Sequence, residues 1–104
     1  MNLPPEAKEA IRRIIKVAQP ERIIVFGSHA REEALPNSDL DLLIVKDVPN
    51  RKQLAGRIYR SLVGVGIPID VVVVRPSDIE RYAASPSLII QPALTEGRTV
   101  YAAG

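Results

Sequence analysis

The chain has 104 residues, 46% hydrophobic and 25% charged, which suits one folded domain and excludes both a disordered chain and a second lobe with its own core. Zero cysteines exclude disulfides and thiolate chemistry, and a single histidine leaves only oxygen ligands in quantity for a metal, so a hard cation such as Mg²⁺ fits and zinc does not. The formal charge of +2 suits an anionic ligand, yet the ten arginines and four lysines are scattered along the chain, and direct nucleic-acid binding is not expected.

Pro4 and Pro5 precede Ala7, Ile11, Ile14, Ile15 and Ala18, whose three- and four-residue spacing predicts an amphipathic helix starting near Pro5 and stopped by Gln19-Pro20. Arg22 to Phe26 is a short apolar run, long enough for a buried strand, that ends at Gly27. Ser28 to Leu35 reads as a short helix cut off by Pro36-Asn37, and Leu40 to Val45 as a second strand. Pro49-Asn50 opens a helix from Arg51 to about Val63 with Leu54, Ala55, Ile58 and Leu62 on one face, ended by Gly64 and Gly66. Ile69 to Val74 is β-branched throughout except for Asp70, and reads as a central strand buried on both faces. Ser77 and Glu80 look like a capping box for a helix to about Ala84, Ser85-Pro86 begins another running to Glu96, Gly97 is placed as its C′ residue, and Thr99 to Tyr101 closes the chain as a strand. This order describes a small mixed sheet with helices packed on it, an α+β domain over 1–104. No apolar run approaches the roughly 18 to 20 residues of a membrane span, and MNLPPEAKEAIRR lacks the apolar region of a signal peptide, so a cytoplasmic location without membrane contact is expected.

Three features belong together: Gly27-Ser28 after the first strand, Asp39 and Asp41 at the head of the second, and Asp70 at the head of the third. Strand side chains alternate, so Asp39 and Asp41 share a face with Cα atoms about 6 to 7 Å apart. Carboxylates so placed repel unless a cation lies between them. Asp70, in an otherwise apolar strand, would cost several kcal/mol unpaired unless it is solvated or metal-bound. A shared metal site would account for all three, and two Mg²⁺ ions roughly 3.5 to 4 Å apart are what phosphoryl and nucleotidyl transfer both need. Gly27 lets backbone approach a polyphosphate, Ser28 adds a hydroxyl, a helix beginning there would aim N–H groups at the anion, and Arg31 is placed to neutralise phosphate charge.

The stretch FGSHAREEALPNSDLDLLIV holds Gly-Ser, ten intervening residues and Asp-x-Asp, and it resembles the signature of the DNA polymerase beta nucleotidyltransferase superfamily. The whole chain is similar to the minimal nucleotidyltransferases, or MNT proteins, with a helix before RIIVFGS, a third acid in PIDVVVV and a closing ALTEGRTVY. The resemblance implies a nucleotidyltransferase fold in which Asp39 and Asp41 hold two Mg²⁺ ions, Asp70 completes the site near an attacking hydroxyl, and Gly27 and Ser28 hold the triphosphate of ATP. It also implies an antitoxin whose partner is a HEPN-domain toxin, with AMP transferred to a tyrosine of that partner, in a homo- or hetero-oligomer. One departure is Glu32, where many relatives have glycine: pointing into the phosphate pocket it would oppose ATP, and facing solvent it would change nothing.

Simpler roles compete at each residue. Asp39 and Asp41 could be a solvated strand entry and Asp70 a strand end at a solvent edge. Ser28 could be an N-cap, His29 is expected as a first-turn surface residue rather than a base, and Arg31 divides between a phosphate contact and a surface pair with Glu33 or another acid. Tyr59 and Tyr82 are expected to fill gaps or meet a partner. Two other functions stand beside the enzyme: an antitoxin acting by contact alone, and transfer of a nucleotide to a small molecule or RNA, against which the missing acceptor domain and scarce aromatics argue.

Overall fold

The computed structural model describes residues 2–35, 38–83 and 90–104. Proline at the start and apolar residues three and four apart produce α1 (Pro5–Ala18), which buries Ala7, Ala10, Ile14 and Ala18 and ends at Gln19 in the left-handed region, φ 46°, its N–H donating to Ile15 O at 3.0 Å. The strands β1 (Arg22–Phe26) and β2 (Leu40–Val45) follow, then α2 (Arg51–Ser61), whose Asn50 cap accepts from Gln53 N–H. The chain continues through β3 (Ile69–Val74), α3 (Pro76–Ala83), α4 (Ile90–Glu96) and β4 (Arg98–Ala102).

The sheet runs β3-β2-β1-β4, with β1 antiparallel to β2 and β4 and β2 parallel to β3. Alternation along β2 separates two cores. Leu40, Leu42 and Ile44 pack with α1 and with Leu54, Ile58 and Leu62 on one face, while Leu43 and Val45 pack with Val74, Ile90 and Ala93 on the other. This is the expected α+β mixed sheet.

Four local expectations change. Residues 27–32 form consecutive turns rather than a helix: Arg31 N–H reaches Gly27 O, but Glu33 N–H reaches Ser28 O and Glu32 takes φ 59°, which a continuing helix does not allow. Ser28 therefore caps nothing. Strand β3 is an edge, not a central strand, and its outer side is met by Tyr59, whose hydroxyl accepts from Val71 N–H at 2.8 Å. A β-branched run has the same composition in either position, because helices cover both faces here. Helix α3 starts two residues early, at Pro76, so the reach-back to the residue before the helix comes from Asp78, whose carboxylate accepts from Arg75 N–H and pairs with Arg51 at 3.1 Å. Gly97 follows α4 as expected, but not for a positive φ: a Cβ there would run into Ala93 O and Ile24. Pro36-Asn37, the end of α3 at Ala84 and the start at Ser85-Pro86 lie outside the described residues, and so does the side chain of Tyr82.

Candidate active site

Because β1 runs against β2 and β2 runs with β3, the last residue of β1 and the first residues of β2 and β3 meet at one end of the sheet. Phe26, Asp41 and Asp70 are partners in a single row: Phe26 opposite Asp41, Asp41 opposite Asp70. Partners in a row share a face, here the one covered by α3 and α4, and Asp39 joins them two residues before Asp41. The pairing of Asp41 with Asp70 is a product of register. A slip of one residue would send one carboxylate into the opposite core.

Gly27 follows directly, at φ 72°, and a Cβ on it would overlap the carboxylate of Asp41. The close approach and the left-handed backbone both favour glycine. Asp41 is half-buried against this turn, whereas Asp39 and Asp70 are exposed. The Asp41 carboxyl is raised above the ordinary carboxylate value, first by burial, then by the charges of Asp70 and Asp39, with His29 and Arg31 pulling the other way. The exposure of Asp70 removes the desolvation argument made for it from sequence. Its side chain faces solvent, and the half-buried member of the trio is Asp41.

One neighbour differs from expectation and one fits it. His29 is 7% exposed, not a surface residue, and its Nε2 donates to the carbonyl of Ser38 at 3.3 Å. It thereby ties the turn after Gly27 to the segment that delivers Asp39. Nothing in the spacing pointed to this contact, which spans nine residues across a tertiary gap. Arg31 pairs with Glu33 at 3.3 Å and with Glu96, at the end of α4, at 3.1 Å; its surface-pair role is realised, across to a helix the sequence did not connect with it. Glu32 is exposed, and its left-handed backbone is the conformation for which glycine is the natural residue. A cavity of about 380 Å³ opens behind the same turn, lined by Asn2, Glu6, His29, Leu35 and Ile67 among others, with none of the three aspartates in its wall.

Three carboxylates on one face, one of them raised by burial and then by the charges of the other two, form a donor set whose chemistry suits a hard divalent cation. Among the described residues no three acidic, histidine or cysteine side chains enclose a cation by themselves. Mg²⁺ ordinarily keeps waters and takes substrate phosphates as ligands, so an open set of carboxylates is compatible with it.

Residues 5–93 match the family model described as a nucleotidyltransferase domain, and the chain belongs to that family. It is 34% identical over 85 residues to the putative protein adenylyltransferase MJ1305 of Methanocaldococcus jannaschii, covering 76% of this chain and 56% of that protein. The chain thus spans little more than half the length of this relative. Among solved structures, one described as a putative minimal nucleotidyltransferase has a TM-score of 0.63 at 25% identity and covers 94% of this chain and 95% of its own. Another, described as a toxin-antitoxin with AMP-PNP, has a TM-score of 0.57 at 20% identity, covering 96% of this chain and 75% of its own, and is alike in fold.

Proposed function

We propose that the domain transfers AMP from ATP to a hydroxyl of a partner protein, a tyrosine of a HEPN-domain toxin, and acts as the antitoxin of that pair. The observation that carries this reading is the row of Asp41 and Asp70 in register beside a left-handed glycine on which a Cβ would displace the Asp41 carboxylate. Family membership and the fold likeness to a toxin-antitoxin described with AMP-PNP support it.

Asp39 and Asp41 would hold two Mg²⁺ ions with Asp70 completing the set, and Mg²⁺ when bound supplies charge that stabilises the attacking and leaving oxygens of an in-line displacement. Gly27 and Ser28 bring backbone and hydroxyl to the triphosphate, and His29 keeps their turn fixed relative to Asp39. Arg31 reaches phosphate by exchanging its two exposed carboxylate partners for a stronger anion. Asp70, on an edge strand and exposed, stands on the side open to an incoming acceptor and is placed to take the hydroxyl proton on a carboxylate oxygen. The acceptor oxygen bonds to the α-phosphorus, the bond from that phosphorus to the pyrophosphate oxygen breaks, and pyrophosphate leaves.

The test is incubation with α-labelled ATP, Mg²⁺ and the product of the neighbouring gene as partner. Label on the partner, lost when its acceptor tyrosine becomes phenylalanine, is the expected result. Folded protein that leaves the partner unlabelled refutes the reading. Asp39→Ala combined with Asp41→Ala separates catalysis from antitoxin action by contact, since only the catalytic antitoxin loses neutralisation with the pair.

A further inference from the structure

Cations that lie far apart in sequence gather on the outer surface of α1 and α2. Lys8, Arg12 and Lys16 stand at successive turns on the exposed side of α1. Arg57 of α2 shares with Arg12 and Lys16 a groove of about 470 Å³ lined by Arg12, Arg13, Lys16, Val17, Arg57 and Ser61, with Lys8 one turn beyond it on α1. Two of the guanidinium groups are held in place. Arg13 Nη1 donates to the carbonyls of Ser61 at 3.1 Å and Val63 at 3.0 Å, and Arg57 Nη2 donates to Val17 O at 3.4 Å. Among the described residues the acid that pairs with any of the lining cations is Glu9, bonded to Arg12 and Arg13. Four lining cations therefore face one carboxylate, in a chain whose total formal charge is +2.

We propose that this groove docks an acidic segment of a partner polypeptide, with carboxylates on the cationic rim and an apolar side chain against Val17. Charge complementarity selects the sign of the partner. Guanidinium groups already fixed by backbone carbonyls lose little freedom on binding, which favours a specific contact over a diffuse ionic one. The lining contains no aromatic side chain on which a base could stack, and a half-buried apolar floor offers nothing to a phosphate backbone, so a polypeptide fits better than RNA. The groove lies on the α1 and α2 side of the sheet, away from the face that carries the aspartates, so occupation leaves the nucleotide path open. This inference rests on the groove alone and stands apart from the reading of the carboxylates.

The test uses the whole chain and three fluorescent probes: a peptide of glutamates interspersed with leucines, its lysine and leucine counterpart, and an RNA hairpin, titrated by anisotropy at about 50 and about 300 mM salt. The glutamate and leucine peptide is expected to bind most tightly and to weaken with salt. Lys16→Glu with Arg57→Glu should reduce its affinity about tenfold or more, while Lys52→Glu with Arg81→Glu, the same change in net charge elsewhere, leaves it within about twofold. Lys8→Glu with Lys16→Glu, both exposed and in no ion pair among the described residues, repeats the test should the first pair disturb the helices. Equal losses in the groove and control variants, or an RNA hairpin bound as tightly as the peptide and lost in the same variants, would overturn the proposal. Neither bears on AMP transfer, which is measured separately.

Discussion

Gly27→Ala separates two demands that fall on one residue. Its φ of 72° costs a side-chain-bearing residue about 1 to 2 kcal/mol, and the added Cβ would also occupy the space of the Asp41 carboxylate. Gly64 supplies the matching control: its φ is 80°, and nothing lies within 4 Å of a Cβ built there. Both substitutions should lower thermal stability by the same backbone term, about 4 to 8 °C per kcal/mol for a domain of this size. Only Gly27→Ala should drive Asp41 from its place in the row with Asp70. Since a displacement of about 1 Å at reacting groups can cost about a hundredfold in rate, the proposed AMP transfer should fall by that factor or more in Gly27→Ala and by less than about threefold in Gly64→Ala. Melting curves by circular dichroism and transfer of label from ATP, both below the melting range, measure the two terms independently. Transfer by Gly27→Ala within about threefold of the parent, or an equal loss in Gly64→Ala, would refute the claim that contact between Gly27 and Asp41 positions the site.

Glu32→Gly should raise stability by up to about 1 kcal/mol, because it removes a left-handed non-glycine residue from an exposed turn, and a melting curve reads it directly. Tyr59→Phe should cost about 1 kcal/mol by leaving Val71 N–H on the edge of the sheet to water, visible as a lower urea midpoint and faster exchange of that amide. Ile58→Ala, at a site with no exposure, should cost about 2 to 5 kcal/mol in the same urea assay. Hydrogen bonds from Arg12 and Arg13 hold the Glu9 carboxyl at about 2, below its ordinary 4.5. Its contribution to stability is thus fully present above about 4.5 and is lost as pH falls from there through 2. A carboxyl NMR titration should place the Glu9 midpoint near 2, and the melting temperatures of the parent and Glu9→Gln should converge across that window.

The strands were legible because their signals are local. RIIVF, LDLLIV and IDVVVV are bounded by turn or polar residues, and the structure places β1, β2 and β3 on those residues. The trio of Asp39, Asp41 and Asp70 was legible for a related reason, since alternation puts two of them on one face before any packing is known. The turn at 27–32 was misread as a helix because the stretch carries ordinary helix formers, and the backbone there yields instead to the left-handed Glu32 and to the hydrogen bond from His29 to Ser38. That bond depends on where β2 begins in space, which no window of sequence contains.

What the chain determined by itself is whatever follows from period and stereochemistry over a few residues: the strand bounds, the buried side of α1, the shared face of Asp39 and Asp41, and glycine at position 27. What the tertiary structure decided is every relation between elements. It put β3 at the edge, set Asp70 opposite Asp41, joined Arg31 to Glu96, buried His29, and gathered Arg12, Arg13, Lys16 and Arg57 into one groove although the sequence scatters them. The physical reason is that side-chain periodicity is a property of one segment, whereas register, edge position and charge clustering come from how segments bury their apolar faces against one another.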